Sequence, residues 1–323
     1  MDFTELASII NLNSYTKNKQ GVDENGKIFT HWMEKLGYTT EVFPREHIGD
    51  HLLFTSPVVA AKKRVLLLGH LDTVFPPNTF TDFSQDDESG SDDSKHLSSK
   101  LAENYDVCLV FEAAGKDHEV VIERKGVGTF NILLEGKAAH AGNHYVDGCN
   151  ANLAAAHMII ALTALTDLSE GTTVNAGKIS GGIGANTISP KAEIIVETRY
   201  TQSTEKERLL AALSEICAHT AVEGVKATLS GGIQRDVMQS SNQQLALLVE
   251  LEQILGYPLK TEKRGGVSDA NIVSAKGVAT LDGFGPFGDG DHTVNERANK
   301  ASFIRRISEV SKILLAFNDT VVR

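Results

Sequence analysis

Two short apolar segments and the helical segment between them constrain the fold of this chain most strongly. Residues 65–68 (VLLL) and 107–112 (VCLVFE) are apolar runs of strand length, and apolar residues recur with helical spacing over residues 97–105. The first run is typical of a strand covered on both faces. A strand, a helix and a second strand predict a right-handed crossover between neighbouring strands of a parallel sheet. The sequence therefore predicts an α/β fold with a central, mostly parallel sheet.

Polar side chains follow both predicted strands. His70 stands two residues after the first strand, Asp72 two residues further on, and Glu112 closes the second. Because parallel sheets bind ligands outside the carboxyl ends of their strands, we expect these side chains at one edge of the sheet. Imidazole and carboxylate groups bind zinc and similar divalent ions, and a carboxylate can hold an imidazole in one tautomer. Alternatively, His70 is a strand-end histidine whose ring is satisfied by a neighbouring polar group.

Two other segments carry candidate ligands for a metal site. Asp86 to Glu88 lie in a polar, acidic stretch, and His292 lies in the glycine-rich stretch GFGPFGDGDHTVNE. Two ions can share such a site, where one polarises a carbonyl and both lower the pKa of a bridging water. A nearby carboxylate then accepts the proton of that water. The alternative interpretation of the acidic stretch is a solvated loop.

The middle of the chain has a different predicted secondary-structure pattern from both ends. Residues 119–232 contain alternating, strand-like runs between Gly and Pro turns, helical segments at 152–165 and 204–218, and a last strand at 225–229. This is the pattern of an α+β sandwich, and the α/β pattern resumes after it with a helix predicted over 242–255. We therefore predict one discontinuous α/β domain, residues 1–118 and 233–323, that is interrupted by a smaller α+β domain.

Composition and charge narrow the class of protein. The net charge of −11 argues against a general nucleic-acid or anionic-membrane surface. No apolar segment has the length needed to span a bilayer, and the amino-terminal residues lack the core of a signal peptide. The three cysteines (Cys108, Cys149 and Cys217) are far apart and form no CxxC motif. Such sparse cysteines are typical of reduced thiols, so we predict a cytoplasmic protein.

Seven motifs along the chain resemble those of one enzyme family and occur in the same order. They are GHLDTVFPP, DDESGS, VFEAA, AHAG, GGIGANTISPKAEIIVETR, GGVSDAN and GDGDHTVNE. The chain resembles the dinuclear zinc hydrolases that include glutamate carboxypeptidases, acetylornithine deacetylase, succinyl-diaminopimelate desuccinylase and aminoacylase. The glutamate carboxypeptidase branch is the most similar. The resemblance implies a zinc-peptidase-like catalytic domain interrupted by a lid domain, residues 119–232, through which two chains dimerise.

The resemblance also implies a metal site with two zinc ions, for which cobalt is an alternative. His70 and Glu112 match ligands of the first ion, and Asp72 matches the carboxylate that orients the histidine. Glu88 and His292 match ligands of the second ion. Asp87 stands where the family has its general-base glutamate.

Substrate-binding residues follow from the same resemblance. His140 matches a lid histidine that stabilises the oxyanion in the neighbouring subunit's active site, although a packed strand-end histidine is the alternative. Asn186 and Arg199 match lid residues that hold the substrate, the arginine as a carboxylate clamp. A surface ion pair is the alternative for Arg199. Gly266 and Ser268 match a glycine-rich loop near the substrate, which is expected to be a small peptide or an N-acyl amino acid.

One departure from the family lies between His70 and Glu88, which are only 18 positions apart. In the family, the corresponding residues are separated by a helix, a core strand and an aspartate that bridges both metals. Their absence predicts an internal deletion near residues 84–88, and its position leaves the roles of Asp87 and Glu88 open. We expect weakened hydrolysis, because neighbouring cations lose a shared ligand and charge compensation. The alternative is a catalytically inactive relative that acts as a binding or dimerisation protein.

Overall fold

The computed structural model describes residues 4–57, 63–73, 94–290 and 297–318. The chain divides into two compact units. Unit 1 consists of Met1–Ile122, Ser240–Lys263 and Ser268–Arg323, and unit 2 consists of Glu123–Gln239 and Arg264–Val267. None of the helices in the described ranges combines the length and the apolar character that crossing a membrane requires.

Both helices and strands occur in the first third of the chain and again in its last third. In chain order, the α-helices of the described residues are α1 (Thr4–Ile10), α2 (Lys19–Lys35), α3 (Ser94–Ala102), α4 (Ala151–Thr163), α5 (Ser203–Ala218), α6 (Asn242–Leu255), α7 (Asp269–Ser274) and α8 (Lys300–Asn318). The strands are β1 (Thr39–Phe43), β2 (His51–Thr55), β3 (Val65–Leu68), β4 (Val107–Val110), β5 (Val120–Arg124), β6 (Gly126–Glu135), β7 (Thr173–Gly181), β8 (Lys191–Tyr200), β9 (Lys226–Arg235), β10 (Thr261–Arg264), β11 (Ala279–Leu281), β12 (Gly288–Asp289) and β13 (Arg297–Ala298).

A parallel sheet organises unit 1. Its strands follow the order β11-β4-β3, and β4 is parallel to both neighbours. The predicted crossover is confirmed, since β3 and β4 are parallel neighbours on either side of α3 in the chain. The apolar core on this sheet includes Leu109, Leu251, Leu281 and Ile313, which join strands β4 and β11 to helices α6 and α8.

Strand β3 departs from the sequence prediction of burial on both faces. Every residue of β4 is buried, whereas β3 is buried only at Leu66, and its Leu67 is 44% exposed. Leu67 and Leu109 are direct partners across the parallel ladder, yet Leu109 is fully buried. The side chains of a strand are partly covered by those of its neighbours, and β3 has one neighbouring strand among the described residues where β4 has two. The prediction of burial on both faces is therefore wrong for β3.

Unit 2 contains an antiparallel sheet with the order β7-β8-β6-β9. Strands β6 and β8 alternate between buried and half-buried positions, the pattern of a sheet with one face against a core. Helices α4 and α5 contribute buried side chains such as Met158, Leu162, Leu209 and Leu213 to the same core. Asn150 caps α4, because its side chain accepts a hydrogen bond from the backbone N–H of Leu153.

Candidate active site

His70 and Glu112 lie at the carboxyl edge of the parallel sheet. Leu68 and Val110 are the last paired residues of β3 and β4, and the backbone N–H of Phe111 donates to the Leu68 carbonyl at 3.0 Å. His70 lies two residues after Leu68, and Glu112 lies two residues after Val110. The two residues therefore occupy equivalent positions beyond neighbouring strands. The structure thus brings these two residues to one edge of the sheet, where their role as metal ligands stays a prediction.

The orientation of the His70 ring is set by Asp72. The ring Nδ1 lies 2.9 Å from the Asp72 backbone carbonyl and 3.4 Å from its carboxylate oxygen Oδ1. A carbonyl oxygen only accepts hydrogen bonds, so Nδ1 carries a proton in this contact. This contact fits both interpretations of His70, as a satisfied ring and as an oriented metal ligand. Asp72 itself was predicted to play this orienting part.

Thr16 completes this group, and sequence reasoning missed it. Its hydroxyl donates to the Asp72 carboxylate oxygen Oδ2 at 2.7 Å, and its backbone N–H donates to the Thr73 carbonyl at 2.8 Å. Burial acts to raise the pKa of Asp72, but hydrogen bonds from His70 and Thr16 outweigh burial and hold that pKa below its usual range. Thr16 stands 56 positions before Asp72 in an unremarkable polar stretch, so only the folded chain reveals the contact.

The chain that follows β11 runs beside Glu112. The backbone N–H of Phe284 donates to the Val110 carbonyl at 3.0 Å, and that of Gly285 donates to the Glu112 carbonyl at 2.8 Å. A Cβ on Gly285 would stand 2.6 Å from the Glu112 carbonyl oxygen, so this close approach requires glycine. The backbone of Glu112 is thereby fixed on the side of the sheet opposite β3.

Three predicted site residues, Asp87, Glu88 and His292, lie outside the described residues, as does the predicted deletion near residues 84–88. Within the described ranges, no group of three or more His, Cys, Asp or Glu side chains is arranged to hold a metal ion. His70 and Glu112 are therefore the described part of the predicted ligand set, and the second-ion site stays a prediction.

The structure brings His140 and Asn186 together in unit 2. His140 forms an isolated antiparallel bridge with Thr187, and the backbone N–H of Ala141 donates to the Asn186 carbonyl at 2.9 Å. The His140 ring is exposed, so the alternative of a packed strand-end histidine is wrong. Its Nδ1 accepts hydrogen bonds from the backbone N–H groups of two following residues, Gly142 and Asn143, each at 3.2 Å. The ring proton therefore resides on Nε2, which points away from these bonds as a donor.

The Arg199 guanidinium forms hydrogen bonds to a carboxylate and to a backbone carbonyl. Its Nε and Nη2 donate to the two carboxylate oxygens of Glu197 at 2.8 and 3.3 Å, and its Nη1 donates to the Gly265 carbonyl at 2.8 Å. The alternative of an ion pair is thus observed. A guanidinium has five N–H groups. Three of the five N–H groups of Arg199 donate to these described partners. The role of Arg199 as a substrate clamp stays a prediction.

The glycine-rich loop has one exposed and one buried candidate residue. Gly266 is exposed, whereas Ser268 is only 4% exposed. The Ser268 hydroxyl donates to the fully buried Asp282 carboxylate at 2.7 Å and accepts from the backbone N–H of Ala270 at 3.1 Å. Ser268 also caps helix α7 in a reciprocal capping box with Asn271. In this structure Ser268 fixes the end of the loop, and any contact of Ser268 with a substrate stays a prediction.

Comparisons with known proteins place this architecture among the peptidases and related amidohydrolases. Residues 122–225 match the family described as the peptidase dimerisation domain. The chain is 23% identical to carboxypeptidase G2 of Pseudomonas sp. over 72% of this chain and 58% of the relative. It is 26% identical to N-acetyl-L-citrulline deacetylase of Xanthomonas campestris over 72% of this chain and 65% of the relative. The chain thus spans less than two thirds of the length of either relative.

Solved structures show the same fold over nearly the whole chain. Aminopeptidase PepT from Bacillus cereus superimposes with a TM-score of 0.75 at 21% identity, covering 96% of each chain. A tripeptidase from Staphylococcus aureus gives 0.76 at 19% identity and covers 98% of this chain and 97% of its own. The predicted fold class and the predicted relationship to this group of peptidases and deacylases are confirmed.

Proposed function

We propose that this protein is a metal-dependent hydrolase that cleaves the amide bond to the C-terminal amino acid of a small peptide or N-acyl amino acid, as glutamate carboxypeptidases do. The observation that carries the proposal is the placement of His70 and Glu112 at equivalent positions beyond neighbouring parallel strands. An imidazole oriented through its Nδ1 and a carboxylate at this edge form the beginning of a zinc-type donor set.

The donor chemistry of these residues fits a divalent metal ion. Asp72 fixes the His70 ring through Nδ1, in the manner of the carboxylates that orient zinc-bound histidines. We assign Glu112 to the same ion, and Glu88 and His292 to a second one, with zinc as the expected metal and cobalt as an alternative. When bound, such ions polarise a carbonyl and lower the pKa of a water molecule. Asp87 is the proposed base that accepts the proton.

His140 and Arg199 supply the proposed contacts to substrate from unit 2. The neutral His140 ring presents its Nε2–H as a donor, and a donor placed in advance stabilises negative charge that develops on a carbonyl oxygen. Glu197 holds the Arg199 guanidinium in place, so the N–H groups left over are oriented for a substrate carboxylate. Asn186 lies beside His140 and completes the proposed substrate-binding set with Gly266 and Ser268.

We propose that two chains pair through unit 2, so that His140 serves the partner's active site. Helix α4 presents Leu153 and Ile160, seven residues apart and 45% and 71% exposed, on one apolar face. Strand β7 stands at an edge of the unit 2 sheet and exposes Ile179 by 54%. Exposed apolar side chains beside an open strand edge suit a self-complementary interface of the kind two-fold dimers use.

Sedimentation of the purified chain at micromolar concentration tests this pairing. We expect a dimer, and we expect Ile160→Lys to shift it to monomer. Leu315→Lys is the matched control, because Leu315 is similarly exposed, by 66%, on helix α8 of unit 1. A monomeric wild type, or a dimer that survives Ile160→Lys, contradicts the arrangement.

Metal content and turnover test the enzymatic proposal. The purified chain is loaded with zinc or cobalt and assayed on N-benzoyl-L-glutamate, with bound metal measured by elemental analysis. We expect bound metal and slow hydrolysis that His70→Ala and Glu112→Ala abolish. A folded chain that binds no metal and turns over no N-acyl amino acid would support the inactive, binding relative instead. The free cysteines at positions 108, 149 and 217 fit a proposed cytoplasmic location.

A further inference from the structure

Asn25 is a buried polar residue inside helix α2 that reaches the turn after strand β3. It is only 6% exposed, and its Nδ2 donates to the Leu71 carbonyl at 3.3 Å. The helix also packs on the Leu71 side chain, since a Cβ on Gly26 would stand 3.7 Å from Leu71 Cδ1. Leu71 stands between His70 and Asp72 in the chain. Asn25 therefore links α2 to the residue between the proposed metal ligand and the carboxylate that orients it.

Helix α2 gains little stability from an asparagine at this position. Asparagine is a weaker helix former than alanine or leucine, because its side chain competes for backbone hydrogen bonds. The Oδ1 of Asn25 is buried and accepts no hydrogen bond from any residue that the structure describes. A buried acceptor without a partner costs free energy, which an apolar side chain of similar size would avoid. The donor of Asn25 thus serves the turn rather than the helix.

The turn is held at two consecutive peptide groups. The first joins Leu71 to Asp72, and its carbonyl accepts the hydrogen bond from Asn25. The second is held through the backbone N–H of Thr73, which donates to the Ser14 carbonyl at 2.9 Å. In a planar trans peptide the C=O and N–H bonds are antiparallel, so the Asp72 carbonyl points away from Ser14. This carbonyl is the one that lies 2.9 Å from the imidazole Nδ1.

We propose that Asn25 is a positioning residue for the metal site. By holding the Leu71 carbonyl, it restricts the dihedral angles on either side of that peptide group and so fixes the Asp72 carbonyl against the His70 ring. The ring is thereby oriented before a metal ion binds, as outer partners of zinc-bound histidines do. This inference rests on the proposed function, because it takes His70 as a metal ligand. Asn25 itself acts only through the turn.

The first test compares zinc affinity with stability in the same variants. Zinc dissociation constants are measured by competition with a chromophoric chelator, and unfolding of the metal-free chain is followed by urea titration. Val22→Ala is the matched control, since Val22 is also 6% exposed on α2 but packs against Gly49. We expect Asn25→Leu to weaken zinc binding about tenfold, the lower end of the effect of losing an outer partner. Its urea midpoint should stay close to that of the wild type, because the lost hydrogen bond is offset by removal of the unpartnered acceptor.

Val22→Ala should show the reverse pattern, with a lower urea midpoint and unchanged zinc affinity, because it removes buried apolar surface and leaves the turn intact. Asn25→Gln keeps an amide donor and should bind zinc more tightly than Asn25→Leu. Unchanged zinc affinity in Asn25→Leu, or the same weakening in Val22→Ala, would overturn the role of Asn25.

A measurement on the metal-free chain separates this inference from the proposed function. Nitrogen NMR of the His70 ring at about pH 8, above the ordinary pKa of histidine, reports which ring nitrogen carries the proton, and His70→Gln assigns the signals. We expect the Nδ1–H form to dominate in the wild type and in Val22→Ala, and a mixture of both tautomers in Asn25→Leu. A wild type that binds no zinc would contradict the proposed function, whereas an unchanged tautomer in Asn25→Leu would contradict the role of Asn25.

Discussion

The two sheets of this protein are packed in different ways. In unit 2, strands β6 and β8 have neighbours on both sides, and side chains such as Ile194 and Tyr200 are fully buried in one core. In unit 1, the carboxyl end of the parallel sheet leaves Leu67 and Phe111 exposed by 44% and 38%. The same kind of apolar side chain is thus covered on the central strands of one sheet and open to solvent at the carboxyl edge of the other.

This difference distinguishes the core of unit 2 from the sheet edge that carries two of the proposed metal ligands. His70 and Glu112 follow strands β3 and β4 at the loosely covered edge, whereas the core of unit 2 contains no such ligand pair among its described residues. The predicted deletion would remove a helix and a core strand from the domain that contains β3. The comparison therefore finds an exposed strand and a proposed catalytic defect in the same domain, and each can be tested.

The largest expected effect concerns the paired leucines of the parallel sheet. Leu109→Ala removes a fully buried side chain and should cost about 2–5 kcal/mol of the free energy of unfolding. Leu67→Ala, at the partner position on β3, should change that free energy by no more than about 0.5 kcal/mol. Urea titration combined with hydrogen exchange of the β4 amides measures both. Equal losses of the free energy of unfolding in the two variants would show that β3 is as well covered as β4. That result would contradict the difference between the two strands.

Restoring the missing segment should have the next largest effect. A helix-strand segment from an intact relative, inserted between Asp86 and Glu88, should raise turnover of N-benzoyl-L-glutamate about a hundredfold, since misplaced reacting groups cost on that order. We also expect the inserted strand to pair with β3 and so to protect the β3 amides from exchange. A Gly-Ser insert of equal length is the control. If the unmodified chain already turns over at about 10 per second, the deletion argument is wrong.

Thr16 offers a smaller test at the same edge. Thr16→Val keeps the shape of the side chain but removes the hydroxyl that donates to Asp72 at 2.7 Å. Because Asp72 orients His70, we expect about a tenfold loss of zinc affinity, measured by competition with a chromophoric chelator. Thr16→Ser keeps the donor and should bind zinc as the wild type does. Unchanged affinity in Thr16→Val would show that the Asp72 carboxylate needs no support.

The smallest expected effect is a change in acid stability. Burial acts to raise the pKa of Glu309, but hydrogen bonds from Arg305, Tyr257 and Arg306 outweigh it and lower that pKa from its ordinary value of 4.5. A carboxylate with a lowered pKa stabilises the fold fully above its unfolded value and loses this contribution as the pH falls through the folded value. Glu309→Gln should therefore flatten the dependence of unfolding on pH below 4.5, as followed by circular dichroism. An unchanged slope would contradict this assignment.

Local sequence patterns predicted most of the secondary structure. Helix α6 occupies residues 242–255 as predicted, because its apolar spacing is regular, Ser241 caps its start, and Gly256 adopts a left-handed conformation at its end (φ 83°). The strand over residues 225–229 was predicted too short, since β9 runs to Arg235. Its later residues, SGGIQR, have no apolar alternation, and pairing with β6 extends the strand past them.

By itself, the sequence determined the order of strands and helices, the relationship to the peptidases and deacylases, and the residue types at the strand ends, because these depend on local periodicity and on motifs of adjacent residues. Tertiary structure alone decided that Thr16 supports Asp72, that Arg199 reaches the Gly265 carbonyl, and that Arg124 fixes the Gly266 carbonyl. It also decided that Leu67 is exposed opposite a buried Leu109. Burial and long-range hydrogen bonds depend on which segments become neighbours in space, and no spacing along the chain encodes that for a single residue.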